Sequence, residues 1–254
     1  MQVAILCGGM GTRMKEKTED MPKSLAMIGN KPIIWHIMKI YSFYGYNEFI
    51  LLLGYKGEYF KEYFRNYEWK NNDFILETRG SSIKLLSQAE DWKITFVDTG
   101  LNTMTGGRIK KLENYLNGDT FMLTYGDGLA DIDIDKLIEF HREKGKTATV
   151  TGIEKKSQFG ILSVENGIST SFQEKSNTEG LINGGFFVLN KDVLKYINED
   201  ENCIFEQEPL KNLATNRDMA VYQHRGFWTC IDTYKDLLEV NKLYENDKAP
   251  WQKI

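Results

Sequence analysis

A glycine-rich loop near the start of the chain is the first segment whose residues could do chemistry. Residues 6–14 read LCGGMGTRM and follow a short apolar run that is typical of a buried strand. Its three glycines leave backbone N–H groups open to a ligand, and such groups form an anion-binding nest. Thr12 adds a hydroxyl donor and Arg13 a planar cation with five donors. The loop predicts polyphosphate binding, and the alternative is a turn whose arginine pairs with a surface acid.

The spacing of these residues excludes two other phosphate-binding motifs. The P-loop pattern GxxxxGK[ST] does not occur in the sequence, and the glycines do not follow the dinucleotide pattern GxGxxG. An NAD-dependent enzyme is therefore disfavoured. Lys23, a short segment further on, could return to the same phosphates as a point charge. Taken alone, a lysine there is more often a solvated surface residue.

A second glycine-bearing loop, YGDG at 125–128, follows another apolar run. Ligands of open parallel sheets bind beyond the carboxyl ends of the strands, so the two loops should meet at one edge of a sheet. A carboxylate at Asp127 would be a natural Mg²⁺ ligand, because this cation takes one or two carboxylates together with phosphate oxygens. The alternative is a turn aspartate.

The segment DIDID at 131–135 contains the D-x-D pattern of metal-dependent glycosyltransferases. It also opens a predicted helix, where aspartate is favoured by capping and by the helix dipole. We interpret Asp131 and Asp133 as helix-start residues, with a D-x-D glycosyltransferase as the alternative.

Two later segments carry polar residues beside predicted strands. Glu174 and Lys175 end one strand, and Asn183 and Gly184 begin the next. A carboxylate can accept hydrogen bonds from sugar hydroxyls, and a lysine can hold a phosphate. Asp232 precedes the last predicted helix and, by spacing alone, is an ordinary N-terminal helix residue.

Alternating strands and helices must position these residues. Such alternation predicts an α/β fold with a Rossmann-like, mostly parallel sheet flanked by helices. Closely spaced strands after about residue 155 predict a smaller mixed or antiparallel lobe. The expected strands are 2–6, 48–55, 93–100, 120–127, 147–153, 159–164, 168–174 and 182–189, and the expected helices are 31–45, 56–67, 131–145, 233–246 and others near 107–117, 190–198 and 205–215.

Composition limits the class of protein. The chain has 254 residues, of which 41% are apolar and 27% charged, with a net charge of −4. An acidic balance argues against a nucleic-acid partner held by bulk charge. Three isolated cysteines indicate reduced thiols, and three histidines make a histidine metal site a poor expectation. We find neither a signal peptide nor an apolar stretch of membrane-spanning length, so we expect a cytoplasmic protein without a membrane partner.

Taken together, the motifs resemble those of the sugar-1-phosphate nucleotidylyltransferases. The likeness covers nearly the whole chain and includes LCGGMGTRM, PKSLAMIGNKPIIWHIM, YGDG, FQEK and INGGFFV. The segment VDTGLNTMTGGRIKK and the carboxy-terminal FEQEPL, GFWTCIDT and KAPW point to the cytidylyl-transferring branch. The resemblance implies a single nucleotidyltransferase domain over 1–254, related to the GT-A fold, with a nucleotide half at about 1–150 and a sugar-phosphate lobe at about 151–254.

The resemblance also implies roles for residues. Catalytic roles fall to Arg13, Lys23 and Asp127, and Mg²⁺ to Asp127 and Asp232. The nucleotide would be bound by Leu6, Cys7, Gly8, Gly9, Met10, Gly11, Thr12, Arg13, Lys23, Thr103, Arg108 and Gly126. The sugar phosphate would be bound by Glu174, Lys175, Asn183 and Gly184.

The activity that the resemblance implies is transfer of a cytidylyl group from CTP to glucose 1-phosphate. The family's enzymes assemble as homo-oligomers, so a trimer or hexamer is expected. This chain departs from the family pattern at Ser24, Ser176, Cys230 and Ile231, although the neighbouring charged residues remain in place. Another sugar 1-phosphate, UTP or dTTP is the alternative within the family, and a non-catalytic nucleotide-binding subunit is the alternative outside it.

Overall fold

A mixed seven-stranded sheet forms the centre of the computed structural model, which describes residues 1–9, 21–87, 90–156, 161–165, 168–173 and 177–252. In spatial order its strands are β14 (Met219–His224), β10 (Ala148–Lys156), β13 (Asn177–Asn190), β8 (Thr120–Tyr125), β1 (Val3–Leu6), β4 (Glu48–Leu53) and β7 (Lys93–Asp98). The β8, β1, β4 and β7 strands run parallel, as does the pair β10 and β14. The predicted Rossmann-like, mostly parallel sheet is confirmed.

Helices cover both faces of this sheet because its strands are apolar on both sides. Along β4, Phe49, Leu51 and Leu53 belong to one buried cluster, whereas Ile50 and Leu52 belong to the other. The helices are α1 (Ile33–Phe43), α2 (Gly57–Arg65), α3 (Tyr67–Asn71), α4 (Thr105–Lys110), α5 (Ile134–Lys144), α6 (Glu208–Thr215) and α7 (Tyr234–Glu245). Among the described helices, none is both long and apolar enough to cross a membrane.

Four two-stranded sheets lie outside the main sheet in the described part of the chain. They are β2 (Met27–Ile28) with β3 (Lys31–Pro32), β5 (Phe74–Glu77) with β6 (Ser82–Leu85), β9 (Gly128–Ala130) with β15 (Trp228–Cys230), and β11 (Ile161–Glu165) with β12 (Ile168–Gln173). Of these, only the last pair was expected from the sequence.

The placement of the third strand of the predicted lobe was wrong. The run at 182–189 lies in β13, which is antiparallel to both β8 and β10 inside the main sheet. Its residues are apolar and buried from Gly184 to Leu189, so the strand needs cover on both faces, which its place in the central sheet supplies. Strand pairing therefore continues across the expected boundary near residue 150, and of the three strands expected in the lobe β11 and β12 pair outside the main sheet.

Helix ends follow the capping chemistry of their residues. Asp133 is the N-cap of α5, where its side chain accepts a hydrogen bond from Lys136 N, and Gly145 ends that helix with φ +58°. The interpretation of Asp133 as a helix-start residue is therefore confirmed. Asp131 lies outside the helix, and its Oδ1 is 3.0 Å from Nε2 of His224 on β14, so the helix-start interpretation of Asp131 was wrong. The segments expected near 107–117 and 190–198 both contain 3-10 turns, at Lys111–Asn114 and Lys191–Tyr196.

His36 is a buried titratable group on α1. Its Nε2 lies 3.1 Å from the carbonyl oxygen of Ile28, and its Nδ1 lies 3.4 Å from the indole Nε1 of Trp251. The indole can only donate, so the neutral tautomer with hydrogen on Nε2 fits both contacts. Burial, together with the charge of Lys31, lowers the pKa of His36 from 6.5 to about 4 despite the Ile28 contact.

The pKa of His36 predicts a loss of stability in acid. The unfolded chain protonates this imidazole near pH 6.5 and the folded chain only near 4, so stability falls as the pH drops through that interval. The resulting loss of unfolding free energy reaches about 3 kcal/mol once the pH has fallen below the folded pKa, and it is absent above neutral pH. Urea titrations at pH 7.5 and 4.5 should show a smaller loss of unfolding free energy in His36→Gln than in the wild type. Equal losses in the two proteins would contradict the prediction.

Candidate active site

A cavity of about 630 Å³ opens at the carboxyl ends of β1 and β8, as the two glycine-bearing loops predict. It is lined by Leu6, Cys7, Gly8, Gly9, Lys23, Ser24, Leu101, Asn102, Thr103, Met104, Thr105, Arg108, Tyr125, Gly126, Asp127 and Asp232. The structure thus brings together every described residue expected to bind nucleotide. Met10, Gly11, Thr12 and Arg13 lie outside the described residues, so their predicted roles stay predictions.

Arg108 lines this cavity and holds neighbouring backbone segments together. Its guanidinium donates to the carbonyl oxygens of Leu53 at 2.9 Å, Gly100 at 2.9 Å and Gly8 at 3.1 Å. Gly8 packs so closely on this group that a Cβ there would overlap the guanidinium. Arg108 therefore ties the start of the glycine-rich loop to the neighbouring strand ends, and its predicted contact with nucleotide stays a prediction.

Lys23 joins the two aspartates of the site. Its Nζ donates to Asp127 Oδ2 at 2.8 Å and to Asp232 Oδ1 at 2.7 Å, while its side chain is only 13% exposed. Burial by itself lowers the pKa of Lys23, but the charge of Asp127 and the two hydrogen bonds outweigh burial. The net pKa is raised above its ordinary value, so the ammonium stays protonated.

A short ribbon holds the two aspartates side by side. Strand β9 begins directly after Asp127, and β15 ends at Cys230, which lies opposite Gly128. Ile231 N donates to the carbonyl oxygen of Asp127 at 2.9 Å and closes the ribbon. Sequence spacing alone gave no reason to place Asp127 near Asp232. The shared Mg²⁺ role that the family resemblance implied requires them to lie close together, as they do here.

These carboxylates fit a divalent cation. Ligand atoms of Asp127, Cys230 and Asp232 lie within 4.8 Å of one another. Burial, with Asp127 as the next cause, raises the pKa of the Cys230 thiol to about 12, so this sulfur is a neutral thiol at pH 7 and a poor ligand. Two carboxylates that leave room for phosphate oxygens are the donor set that Mg²⁺ prefers.

A second cavity, of about 1130 Å³, adjoins the first and shares Tyr125, Asp127 and Asp232 with it. Asn183 and Gly184, both expected to bind the sugar phosphate, line this second cavity. Glu174 and Lys175, the other two residues expected there, lie outside the described residues. Asp131 and Asp133 line neither cavity, which removes the geometric basis for a D-x-D glycosyltransferase.

Sequence reasoning missed several residues of the walls. Tyr125 belongs to both cavities, Thr105 lines the first, and Trp228 lines the second. The indole Nε1 of Trp228 donates to the carbonyl oxygen of Gly184 at 2.7 Å and fixes the turn beside Asn183. Tyr125 and Trp228 lie in segments that carried the family resemblance. The resemblance therefore marked these segments, but it assigned no role to these two residues.

Known proteins resemble this chain in sequence and in fold. The family model described as nucleotidyl transferase matches residues 2–247. The chain is 58% identical over 252 residues to a probable glucose-1-phosphate cytidylyltransferase of Bacillus subtilis, with 99% of each chain covered. It is 44% identical over 255 residues to a glucose-1-phosphate cytidylyltransferase of Salmonella typhimurium, again with 99% of each covered.

A solved structure supports the fold at lower identity. The crystal structure of HddC from Yersinia pseudotuberculosis superimposes with a TM-score of 0.70 at 22% identity, covering 96% of this chain and 99% of that one. Two adjoining cavities, a lysine set between two carboxylates and a match over nearly the whole length agree with one another. The chain belongs to the nucleotidyl transferase family.

Proposed function

We propose that this protein transfers a cytidylyl group from CTP to α-D-glucose 1-phosphate, giving CDP-glucose and pyrophosphate. The observation that carries the proposal is the meeting of two cavities at Asp127 and Asp232, with the Lys23 ammonium between them. A nucleotide in the first cavity and a sugar phosphate in the second would place their phosphates at this shared wall. The choice of cytosine and glucose rests on the names of the relatives at 58% and 44% identity.

The reaction is an in-line displacement at phosphorus. A phosphate oxygen of glucose 1-phosphate forms a bond to the α-phosphorus of CTP, and the bond from that phosphorus to the bridging oxygen of pyrophosphate breaks. The attacking phosphate has a second pKa near 6 and is mostly dianionic at pH 7, so no protein base has to remove a proton. The protein's part is to position two anions and to offset their repulsion.

Lys23 supplies the fixed positive charge for this step. Its ammonium lies at the shared wall and is largely shielded from water, which strengthens its attraction for phosphate. Asp127 and Asp232 would hold Mg²⁺, which when bound orients the triphosphate and neutralises part of its charge. Arg13 would stabilise the leaving pyrophosphate, and Lys175 would steer the attacking phosphate.

A panel of substrates tests the proposed function. Pyrophosphate release should be measured for CTP, UTP, dTTP and GTP, each crossed with glucose, galactose and mannose 1-phosphates in the presence of Mg²⁺. We expect CTP with glucose 1-phosphate to have a kcat/KM at least about tenfold above every other pair, since one mismatched polar contact costs that much. A reaction without sugar phosphate controls for hydrolysis. If another pair reacted best, that pair would be the substrates in place of CTP and glucose 1-phosphate. If no pair released pyrophosphate, the proposed activity would be wrong.

Three expectations from the sequence accompany this proposal. The division into a nucleotide half at about 1–150 and a sugar-phosphate lobe at about 151–254 stays a prediction, which the place of Asn183 and Gly184 in the second cavity supports. A homo-oligomer, either a trimer or a hexamer, remains the expected assembly. A cytoplasmic location agrees with the three free cysteines, Cys7, Cys203 and Cys230.

A further inference from the structure

Glu206 is a carboxylate that bonds to Tyr125, a residue shared by the two cavities. It lies just before α6, in the segment FEQEPL, and it lines neither cavity. Its Oε1 accepts a hydrogen bond from the Tyr125 hydroxyl at 2.5 Å, and its Oε2 accepts one from the Thr105 hydroxyl at 2.6 Å. An ionised carboxylate only accepts, so it forces both hydroxyls to donate towards it.

Backbone groups fix the direction of the remaining hydrogen bonds. Phe205 N donates to Thr105 Oγ1 at 2.9 Å, which leaves the single hydroxyl proton of Thr105 for Glu206. At the other end, Gly185 N donates to Asn183 Oδ1 at 2.8 Å. The amide of Asn183 must therefore turn its Nδ2 towards Tyr125, whose oxygen lies 3.1 Å away. Every hydrogen bond of the relay therefore points towards Glu206, from Phe205 through Thr105 on one side and from Gly185 through Asn183 and Tyr125 on the other.

The same relay sets how Asn183 faces a ligand. Asn183 is exposed and lines the sugar-phosphate cavity, and one of its two Nδ2 protons is held by the Tyr125 oxygen. The second proton has a fixed direction because the amide plane is held at both its nitrogen and its oxygen. Asn183 thus meets the cavity with a donor in a defined place, as recognition of an anionic or hydroxyl-rich ligand requires.

The Tyr125 ring is locked in position for this purpose. Gly185 has φ +79°, and a Cβ there would lie 2.5 Å from Cδ2 of Tyr125. Phe187 packs edge-on against the same ring at a centroid distance of 5.9 Å. A ring held on two sides keeps its hydroxyl between Glu206 and Asn183.

We propose that Glu206 is a positioning residue for the sugar phosphate: it sets the polarity of the Thr105–Glu206–Tyr125–Asn183 relay and so orients the Asn183 amide. The inference rests on the proposed function, because it assigns the ligand of Asn183 to the sugar 1-phosphate. Glu206 acts through Tyr125 and Asn183 and touches no substrate itself.

The substitution Glu206→Gln tests the polarity directly, since it keeps the shape and turns one acceptor into a donor. If the new Nε2 faces Tyr125, the hydroxyl must donate to Asn183, whose amide then has to flip against Gly185 N. If it faces Thr105, that hydroxyl accepts from two N–H groups and its own proton loses the carboxylate acceptor. Tyr125→Phe breaks the relay without changing its charge.

We expect Glu206→Gln and Tyr125→Phe each to raise the KM for glucose 1-phosphate by about tenfold, the usual size of one charge-assisted hydrogen bond. For Glu206→Gln, whose site lines neither cavity, the KM for CTP should change by less than about twofold, and so should kcat. The matched control is Glu208→Gln, the same substitution at an exposed residue two positions away, which should leave both KM values unchanged.

A double-mutant cycle separates positioning from a structural role. In an Asn183→Ala background, Glu206→Gln should cause no further rise in the KM for glucose 1-phosphate, because Glu206 acts through that amide. Additive effects would overturn the inference, as would an unchanged KM in Glu206→Gln. A lowered melting temperature with equal rises in both KM values would show a structural role and overturn it as well. If the wild type released no pyrophosphate with any substrate pair, the proposed function itself would be wrong, and this inference would fall with it.

Discussion

Lys23→Met should lower kcat for pyrophosphate release by at least about 100-fold, because one preorganised charge at a developing anion is worth that much. Methionine keeps most of the aliphatic stem, so the change removes the ammonium and little of the packing. The ammonium is held 2.8 Å from Asp127 and 2.7 Å from Asp232, which fixes it at the wall that the two cavities share. Initial rates at saturating CTP and glucose 1-phosphate measure the effect.

The control for this variant is Lys235→Met on α7. The Lys235 side chain is 81% exposed and lies only three positions after Asp232. This substitution removes the same charge from nearly the same region, and we expect kcat within about twofold of the wild type, since exposed charges are screened. Similar losses of kcat in both variants would contradict a specific role for Lys23. They would indicate that the overall charge of the protein determines the rate.

Asp127→Asn is the second substitution with a large expected effect. It removes one negative ligand of the proposed Mg²⁺ and one partner of Lys23 while it keeps the size of the side chain. We expect kcat to fall by about 100-fold or more and the Mg²⁺ concentration for half-maximal rate to rise by at least about tenfold. Mn²⁺ binding followed by electron paramagnetic resonance gives the second reading without turnover.

Asp192→Asn provides the comparison for this loss of charge. Asp192 is 68% exposed, pairs with Lys195 at 2.9 Å and lines neither cavity. Its replacement should leave both the rate and the Mg²⁺ requirement unchanged. If Asp127→Asn kept its wild-type Mg²⁺ requirement while losing rate, Asp127 would act through Lys23 alone and the metal role would be removed.

Much of the fold could be predicted because it depends on local patterns. The runs that became β1, β4 and β8 are short, apolar and bounded by glycine or turn residues, and Gly145 stops α5 where expected. The position of β13 could not be predicted in this way. Whether an apolar run joins a sheet edge, a separate lobe or the sheet centre depends on pairing with strands far away in sequence.

The candidate site was predictable to the same degree. Glycine-rich loops after strands indicate a phosphate site, so Gly8 and Asp127 could be located from the sequence alone. The relay through Glu206 could not, because a hydrogen bond between Glu206 and a residue 81 positions away leaves no periodic signal. Arg108 shows a further limit, since a cation beside a phosphate site can serve to brace the loop and not only to hold the ligand.

The lysine between the aspartates has a consequence for how the molecule is made. Lys23 is 104 positions from Asp127 and 209 from Asp232, so its contact with Asp232 is among the last that a growing chain can form. A nascent chain leaving the ribosome can complete most of its parallel strands before the segment around Asp232 has been synthesised. The proposed active site can therefore be completed only in a late step, and a chain interrupted before that segment would have the strands of its main sheet but lack one of the two proposed metal ligands.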